Sequence, residues 1–153
     1  MLSRSVPAVV LFVFVLLAGC DASAQGVPVA KGATETAEGR AWPTLEEIGI
    51  PLYPDLEAFM LGENPSADGG TLLFVNFASQ ADANALLAWD SEHAEGWQVD
   101  EDMNVLLPEG ASIMDVMMGK TVFVNIYDAE TIGGCFGGVP CKSMVQIVYK
   151  PAG

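Results

Sequence analysis

Basic residues and histidine are scarce in this chain of 153 residues. Six lysines and arginines stand against 20 acids, one histidine is present, and the formal net charge is −14. This excess of negative charge repels phosphate backbones, and no cluster of lysine and arginine is available to bind an anionic membrane surface. The composition therefore predicts no nucleic-acid partner, and any attachment to a membrane must come from another feature.

Long apolar runs are also scarce, and the longest one lies at the N-terminus. Arg4 precedes an apolar stretch of about 12 residues, Pro7 to Ala18. This length is typical of the hydrophobic region of a secretion signal and is too short to span ~30 Å of hydrocarbon as a helix. The tripeptide 22–24, Ala-Ser-Ala, would suit ordinary signal peptidase, so simple secretion is one alternative, and a retained helix is another.

The apolar stretch ends in the tetrapeptide Leu17-Ala18-Gly19-Cys20, which resembles the lipobox of bacterial lipoproteins. The resemblance implies that residues 1–19 are a cleaved signal peptide and that the Cys20 thiol carries a diacylglycerol. In many members of that class the freed amine of the cysteine is acylated too. Each buried CH₂ contributes about 0.8 kcal/mol, and two or more acyl chains give stable anchoring. We therefore expect attachment to the cell envelope through a lipid on Cys20.

Asp21 directly follows this cysteine. In enterobacterial lipoproteins an aspartate at this position resembles the signal for retention in the inner membrane. The resemblance implies that the protein is anchored to the periplasmic face of the inner membrane and not to the outer membrane. The alternative is that Asp21 is only the polar start of a tether.

Composition divides the rest of the chain into two parts. Residues 20–42 are rich in Ala, Gly, Thr and Glu, without periodicity, and predict a lipidated cysteine followed by a flexible tether. Residues 43–153 predict a single α+β domain with one main helix packed on a mostly antiparallel sheet of about four to five strands.

Local signals place the expected elements of this domain. A capping box at Thr44 and Glu47 predicts a short helical turn. Residues 71–77 predict a central strand, and residues 80–95 predict the main helix, with Ser79 as its N-cap and Gly96 as its end. Leu86, Trp89 and His93 fall on one stripe of that helix. Extended chain is expected to restart at 97–99. Residues 111–118 and 121–127 predict two strands of a hairpin with a type II′ turn at residues 119–120, and residues 143–150 predict the last strand.

Two short segments resemble small domains of uncharacterised bacterial lipoproteins. These are Ile-Pro-Leu-Tyr-Pro at 50–54 and the Gly-Trp pair at 96–97, after the predicted helix. Asp55 follows Pro54 where those domains usually continue with Gly, and the helix has Trp89-Asp90 where they carry a Phe-Tyr pair. The resemblance implies an architecture and no established activity.

Cys135 and Cys141 lie in the Gly-rich segment 133–141, with five residues between them. In a chain exported to an oxidising compartment this pattern predicts a disulfide. A redox pair usually has Cys-x-x-Cys spacing, and a zinc site needs two further ligands that one histidine cannot supply. Cys20 is then the unpaired cysteine that lipidation requires.

Two clusters raise the question of cation binding. Asp100, Asp102 and Asn104 alternate as at the start of a calcium loop, but Val105 and Ala111 stand where the motif needs Gly and Glu. The methionines at 114, 117 and 118 are soft ligands suited to Cu(I), although methionines in a predicted strand usually fill the core. We therefore expect no metal site and no cofactor.

We expect no enzymatic activity. His93 is the single histidine, its neighbours Asp90 and Ser91 need not face it, and no nucleophile elbow or phosphate-binding loop is present. The leading hypothesis is a lipid-anchored envelope lipoprotein whose non-enzymatic interaction or binding domain faces the periplasm and contacts an unidentified envelope protein or ligand. The alternative is a periplasmic lipoprotein that binds or senses a cation or small ligand.

Overall fold

The computed structural model describes residues 25–34 and 40–151. They form seven strands and four α-helices in the following order: β1 Val29–Thr34, α1 Leu45–Ile48, β2 Glu57–Pro65, β3 Thr71–Ser79, α2 Ala83–His93, β4 Trp97–Asp100, β5 Val105–Pro108, α3 Ile113–Met117, β6 Phe123–Asp128, α4 Ala129–Ile132 and β7 Ser143–Tyr149. A short 3₁₀ turn, Phe136–Gly138, follows α4.

All seven strands belong to one sheet in the order β1-β2-β3-β7-β6-β5-β4. The pairing of β1 with β2 is parallel, and the other five pairs are antiparallel. The fold is α+β, but the expected sheet of four to five strands with one main helix is wrong. Residues 25–34 and 40–151 form a seven-stranded mixed sheet and four short helices.

The extra strands carry little sequence signal, which explains the error. The β1 sequence, Val-Ala-Lys-Gly-Ala-Thr, has no alternation of large apolar and polar residues. The second half of β2 contains Gly62, Glu63 and Asn64, residue types that are depleted in strands. Both strands form because of their tertiary pairing.

The two faces of the sheet differ in character because successive side chains of a strand point to opposite sides. One side, which we call the helix face, carries a large apolar core. There Val75 and Phe77 of β3 and Ile147 of β7 pack in one cluster with Ile48 of α1 and Leu86 of α2. The opposite side, which we call the amide face, carries Asn76, Gln146 and Asn125 on neighbouring strands. A smaller apolar cluster on that side includes Phe59, Ala78, Cys135 and Met144.

The main helix is shorter than predicted. It covers Ala83–His93, its N-cap is Asp82, and its C-cap is Ala94. The predicted N-cap, Ser79, is the last residue of β3 and is buried. Its hydroxyl donates to Asp55 Oδ1 at 2.6 Å. Asp82 accepts from the Ala85 N–H at 2.9 Å, so the chain makes the same type of cap three residues later.

The predicted strand over 111–118 and its type II′ turn are wrong. Ser112 and Asp115 form a capping box, and residues 113–117 are helical. Gly119 adopts a left-handed conformation with φ 62° just after the helix, as glycines commonly do at helix C-termini. The predicted helical turn at Thr44 and the predicted strands at 71–77 and 143–150 are present as α1, β3 and β7.

Candidate interaction surface

The α3 helix places three methionines on one side. Positions 114, 117 and 118 are separated by three and four residues, a spacing that aligns side chains on one helix face. The relative exposures of Met114, Met117 and Met118 are 60%, 77% and 42%. The interpretation of these residues as core-filling side chains of a strand is therefore wrong. We call Met114, Met117 and Met118 the methionine face.

The methionine face accounts for half of the exposed large apolar side chains in the part of the chain that the structure describes. The full set is Val29, Met103, Met114, Met117, Met118 and Phe136. Scattered apolar side chains are normal on a protein surface, whereas large contiguous apolar patches are typical of interaction sites. The concentration of three of them on α3 and its C-cap distinguishes this segment from the rest of the described surface.

The turn between β2 and β3 supports the C-terminal end of α3. The Gly119 carbonyl accepts from Ser66 Oγ at 3.1 Å and from the Ala67 N–H at 3.3 Å. Hydrogen bonds from Ser66 and from the Gly70 N–H, together with the nearby Lys150 ammonium, lower the pKa of Asp68 to about 2. The bonds to the Gly119 carbonyl fix the position of the turn relative to the C-terminal end of α3.

A groove of about 430 Å³ lies between α3, this turn and the amide face. Its apolar lining includes Leu72, Val116, Met117, Met118, Phe123 and Val148. Methionine side chains are flexible and polarizable and adapt to partners of different shapes. The groove can therefore accept an apolar side chain of a binding partner beside the methionine face.

A row of polar side chains crosses the amide face. Gln146 Nε2 donates to Asn76 Oδ1 at 3.1 Å, and Asn76 Nδ2 approaches Met60 Sδ at 3.5 Å. On the next strand Asn125 Nδ2 donates to the Tyr127 hydroxyl at 3.0 Å. Asn76 is only 2% exposed, and these bonds satisfy its amide. This row was not predicted from the sequence, although its side chains all lie on one face of β3, β6 and β7.

The predicted disulfide between Cys135 and Cys141 is confirmed, with Cα atoms 6.1 Å apart. Cys135 is buried, and Phe136 inside the closed loop is half exposed. Cys20 and Asp21, the predicted lipidation and sorting residues, lie outside the described residues.

Asp100, Asp102 and Asn104, which alternate as at the start of a calcium loop, lie in and beside the turn between β4 and β5. Asp100 Oδ1 accepts from the Met103 N–H at 3.1 Å, and Asn104 has a left-handed φ of 52°. Across residues 25–34 and 40–151, no three His, Cys, Asp or Glu side chains are grouped so as to hold a metal ion.

His93 is exposed and engaged locally. Its Nδ1 lies 2.7 Å from the Trp89 carbonyl oxygen, and its ring stacks on the Trp89 ring with centroids 4.2 Å apart. Tyr53 packs edge-on against the Trp89 ring, with the two ring centroids 5.6 Å apart. This arrangement is an aromatic stack that covers one side of α2.

Asp90 is a buried acid whose burial was not predicted from the sequence. It is 7% exposed, and burial raises its pKa to about 7, an effect that the nearby charge of His93 partly opposes. Apolar residues such as Leu56, Leu86 and Val145 surround the small cavity beside it. The signal was present in the sequence, because Asp90 lies four residues after Leu86 on the buried stripe of α2.

No family model, curated protein or solved structure matches the chain. Among the described residues no helix is long and apolar enough to cross a membrane.

Proposed function

We propose that this protein is a lipid-anchored envelope lipoprotein whose domain binds an apolar site on an envelope protein through the methionine face. The observation that carries the binding role is the clustering of Met114, Met117 and Met118 at high exposure beside an apolar groove. Burying apolar surface contributes roughly 25 cal/mol per Å², so covering these side chains favours association. The anchor is inferred from the lipobox that ends in Cys20.

The proposed role is not catalytic. His93 Nδ1 is held by a backbone carbonyl, and Asp90 lies against apolar side chains. A general base needs a partner within hydrogen-bonding reach of a substrate proton. Both residues belong to α2 and neither belongs to the methionine face, which is the surface best suited to bind a partner.

Site-specific photo-crosslinking in the anchored protein tests the binding role. A photoreactive residue is placed at Met117 and, as a matched control, at Glu92, which is exposed on α2 against the helix face. We expect a discrete crosslinked envelope protein from position 117 that is absent from position 92. The further substitution of Met114 and Met118 by Gln should abolish this product. The same product from both positions, or its survival after the Gln substitutions, would contradict the assignment.

Two substitutions test the anchor and its sorting. Cys20→Ser should abolish labelling with a palmitate analogue and leave either an uncleaved precursor or a soluble product. Asp21→Ser should move the lipidated protein from inner-membrane fractions toward outer-membrane fractions on a density gradient. Continued labelling of Cys20→Ser would refute the anchor, whereas identical distributions of wild type and Asp21→Ser would refute the sorting role alone.

A second candidate function is binding of Cu(I) by the methionine face. The observation that favours it is the helical spacing, which brings three thioethers to one side of α3, and thioethers are soft ligands that select Cu(I). The acidic protein also attracts cations.

Leucine substitutions separate the two functions because leucine keeps the apolar surface and removes the sulfur. If Cu(I) binding is the role, replacing all three methionines by Leu should abolish competition with a chromophoric Cu(I) chelator. If partner binding is the role, a protein with the photoreactive residue at position 117 and Leu at positions 114 and 118 should retain the crosslink.

A further inference from the structure

The segment predicted to be a tether is docked on the domain from residue 25 onward. The Gln25 carbonyl accepts from the Leu45 N–H at 2.9 Å, and the Val27 N–H donates to the Pro43 carbonyl at 3.2 Å. Gly26 forms a β-bridge with Thr44. These bonds attach the segment to the start of α1.

The docking continues along the edge of the sheet. The Pro28 carbonyl accepts from the Ala58 N–H at 2.7 Å, and β1 then pairs with β2. Val27 and Ala30 are 6% and 7% exposed, and each belongs to one of the two apolar clusters. Residues 25–34 are therefore part of the folded domain and do not lengthen the connection between Cys20 and the domain.

We propose that the domain is held directly against the headgroup layer of the bilayer that carries its anchor, with the Gln25 and α1 surface toward the lipid. This inference rests on the proposed lipidation of Cys20. Only residues 21–24 separate Cys20 from Gln25, so the two Cα atoms lie at most about 17 Å apart. A tether reaching to residue 43 would allow about 80 Å at full extension.

The topology identifies which surface faces the membrane. Glu46 and Glu47 are exposed in the first turn of α1, next to the docked Gln25. The α1 helix packs on β7 near Tyr149. The turn between β4 and β5 lies three strands from β7, roughly 14 Å across the sheet, and toward the Ser143 end of β7, away from Tyr149. The short connection therefore keeps the Gln25 and α1 surface nearer the headgroups than this turn.

Fluorescence quenching by headgroup nitroxide lipids tests this orientation. The lipidated protein carries one labelled cysteine, Glu46→Cys or the control Asp102→Cys, in vesicles of phosphatidylethanolamine and phosphatidylcholine, with the native disulfide oxidised. We expect quenching at position 46 to be several-fold stronger than at position 102. Inserting 20 Gly/Ser residues between Ala22 and Ser23 should remove this difference without changing the domain.

Three outcomes are distinguishable. Lipidated protein with equal quenching at the two positions, or with a difference that survives the insertion, overturns the orientation and leaves the anchor standing. A Cys20 peptide without acyl chains in the mass spectrum, together with failure of the protein to float with vesicles, overturns the anchor and this inference together. Stronger quenching at position 46 that the insertion removes supports both.

Discussion

The ring of Phe74 lies on the backbone of Gly62. The two residues are register partners on β2 and β3, and a Cβ added at Gly62 would overlap the ring. An aromatic side chain that covers a cross-strand glycine protects the backbone and compensates for the missing side chain. The presence of glycine inside β2 is explained by this contact.

Replacing Gly62 by Ala should therefore destabilise the domain. The new methyl group must displace the Phe74 ring, and overpacking of this kind costs typically 1–3 kcal/mol. Urea denaturation followed by tryptophan fluorescence measures the change. The control is Gly26→Ala, where a Cβ meets nothing within 4 Å and little change is expected. Adding Phe74→Leu to Gly62→Ala should recover part of the loss, and full additivity of the two substitutions would refute the contact.

The buried Asp90 predicts a falling stability between about pH 4 and pH 7. Its pKa is about 7 in the folded state against an ordinary 3.8, so in this range the folded protein binds a proton that the unfolded chain has released. Stability from this group is full below the unfolded pKa and is lost as the pH rises through the folded pKa.

Asp90→Asn removes this titration and keeps the shape of the side chain. At pH 7.5 the variant should be more stable than wild type, on the order of 2–4 kcal/mol, and the advantage should vanish near pH 4. Thermal melts across the pH range provide the measurement, with the exposed Asp102→Asn as the matched control. Parallel pH profiles for wild type and Asp90→Asn would refute the assignment.

Cys135 and Cys141 should be oxidised in the native protein, and their bond should stabilise the loop between them. Mass spectrometry of the non-reduced protein should find no free thiol on Cys135 or Cys141. The double substitution by Ser should lower the free energy of unfolding by up to about 2 kcal/mol, since the loop is short. Limited chymotrypsin digestion should then cut faster at the exposed Phe136. Ready alkylation of both cysteines in the untreated protein would contradict the prediction.

The capping box of Ser112 and Asp115 should stabilise α3 and so fix the position of the methionine face. Ser112 Oγ donates to Asp115 Oδ2 at 2.6 Å, and the Asp115 N–H donates to Ser112 Oγ at 3.3 Å. Ser112→Ala should cost about 1 kcal/mol and weaken the crosslink from position 117. Ser91→Ala, inside α2 and exposed, is the control and should leave both unchanged. An unaltered crosslink in Ser112→Ala would show that the cap does not control the surface.

Local chemistry explains which elements were predictable from the sequence. The Thr44 and Glu47 capping box is complete within four residues, and its hydrogen bonds form as expected. The strands at 71–77 and 143–150 are dense in large apolar side chains and lie at the centre of the sheet. Each of these signals is local and needs no distant partner.

The errors occur where two local signals compete or where the partner is distant. Gly119-Lys120 resembles a hairpin turn, but the box at Ser112 and Asp115 and the support from Ser66 favour a helix that ends at the same glycine. The wrong expectation that the methionines are buried followed from that mistaken strand. The β1 strand depends on β2, which depends in turn on β3, and no short window of sequence contains that information.

β7 is the last strand of the described residues in sequence order, yet it lies at the centre of the sheet. β3 pairs with β7 along its length, from Leu73 with Tyr149 to Ser79 with Ser143, and residues 80–142 lie between the two strands. Contacts of such long sequence separation form late and slow folding. A chain produced from its N-terminus therefore carries β3 as an open, apolar edge until residues 143–149 arrive. During that interval the edge is open to pairing with another chain, so the vulnerability to aggregation is greatest before the last strand closes the sheet.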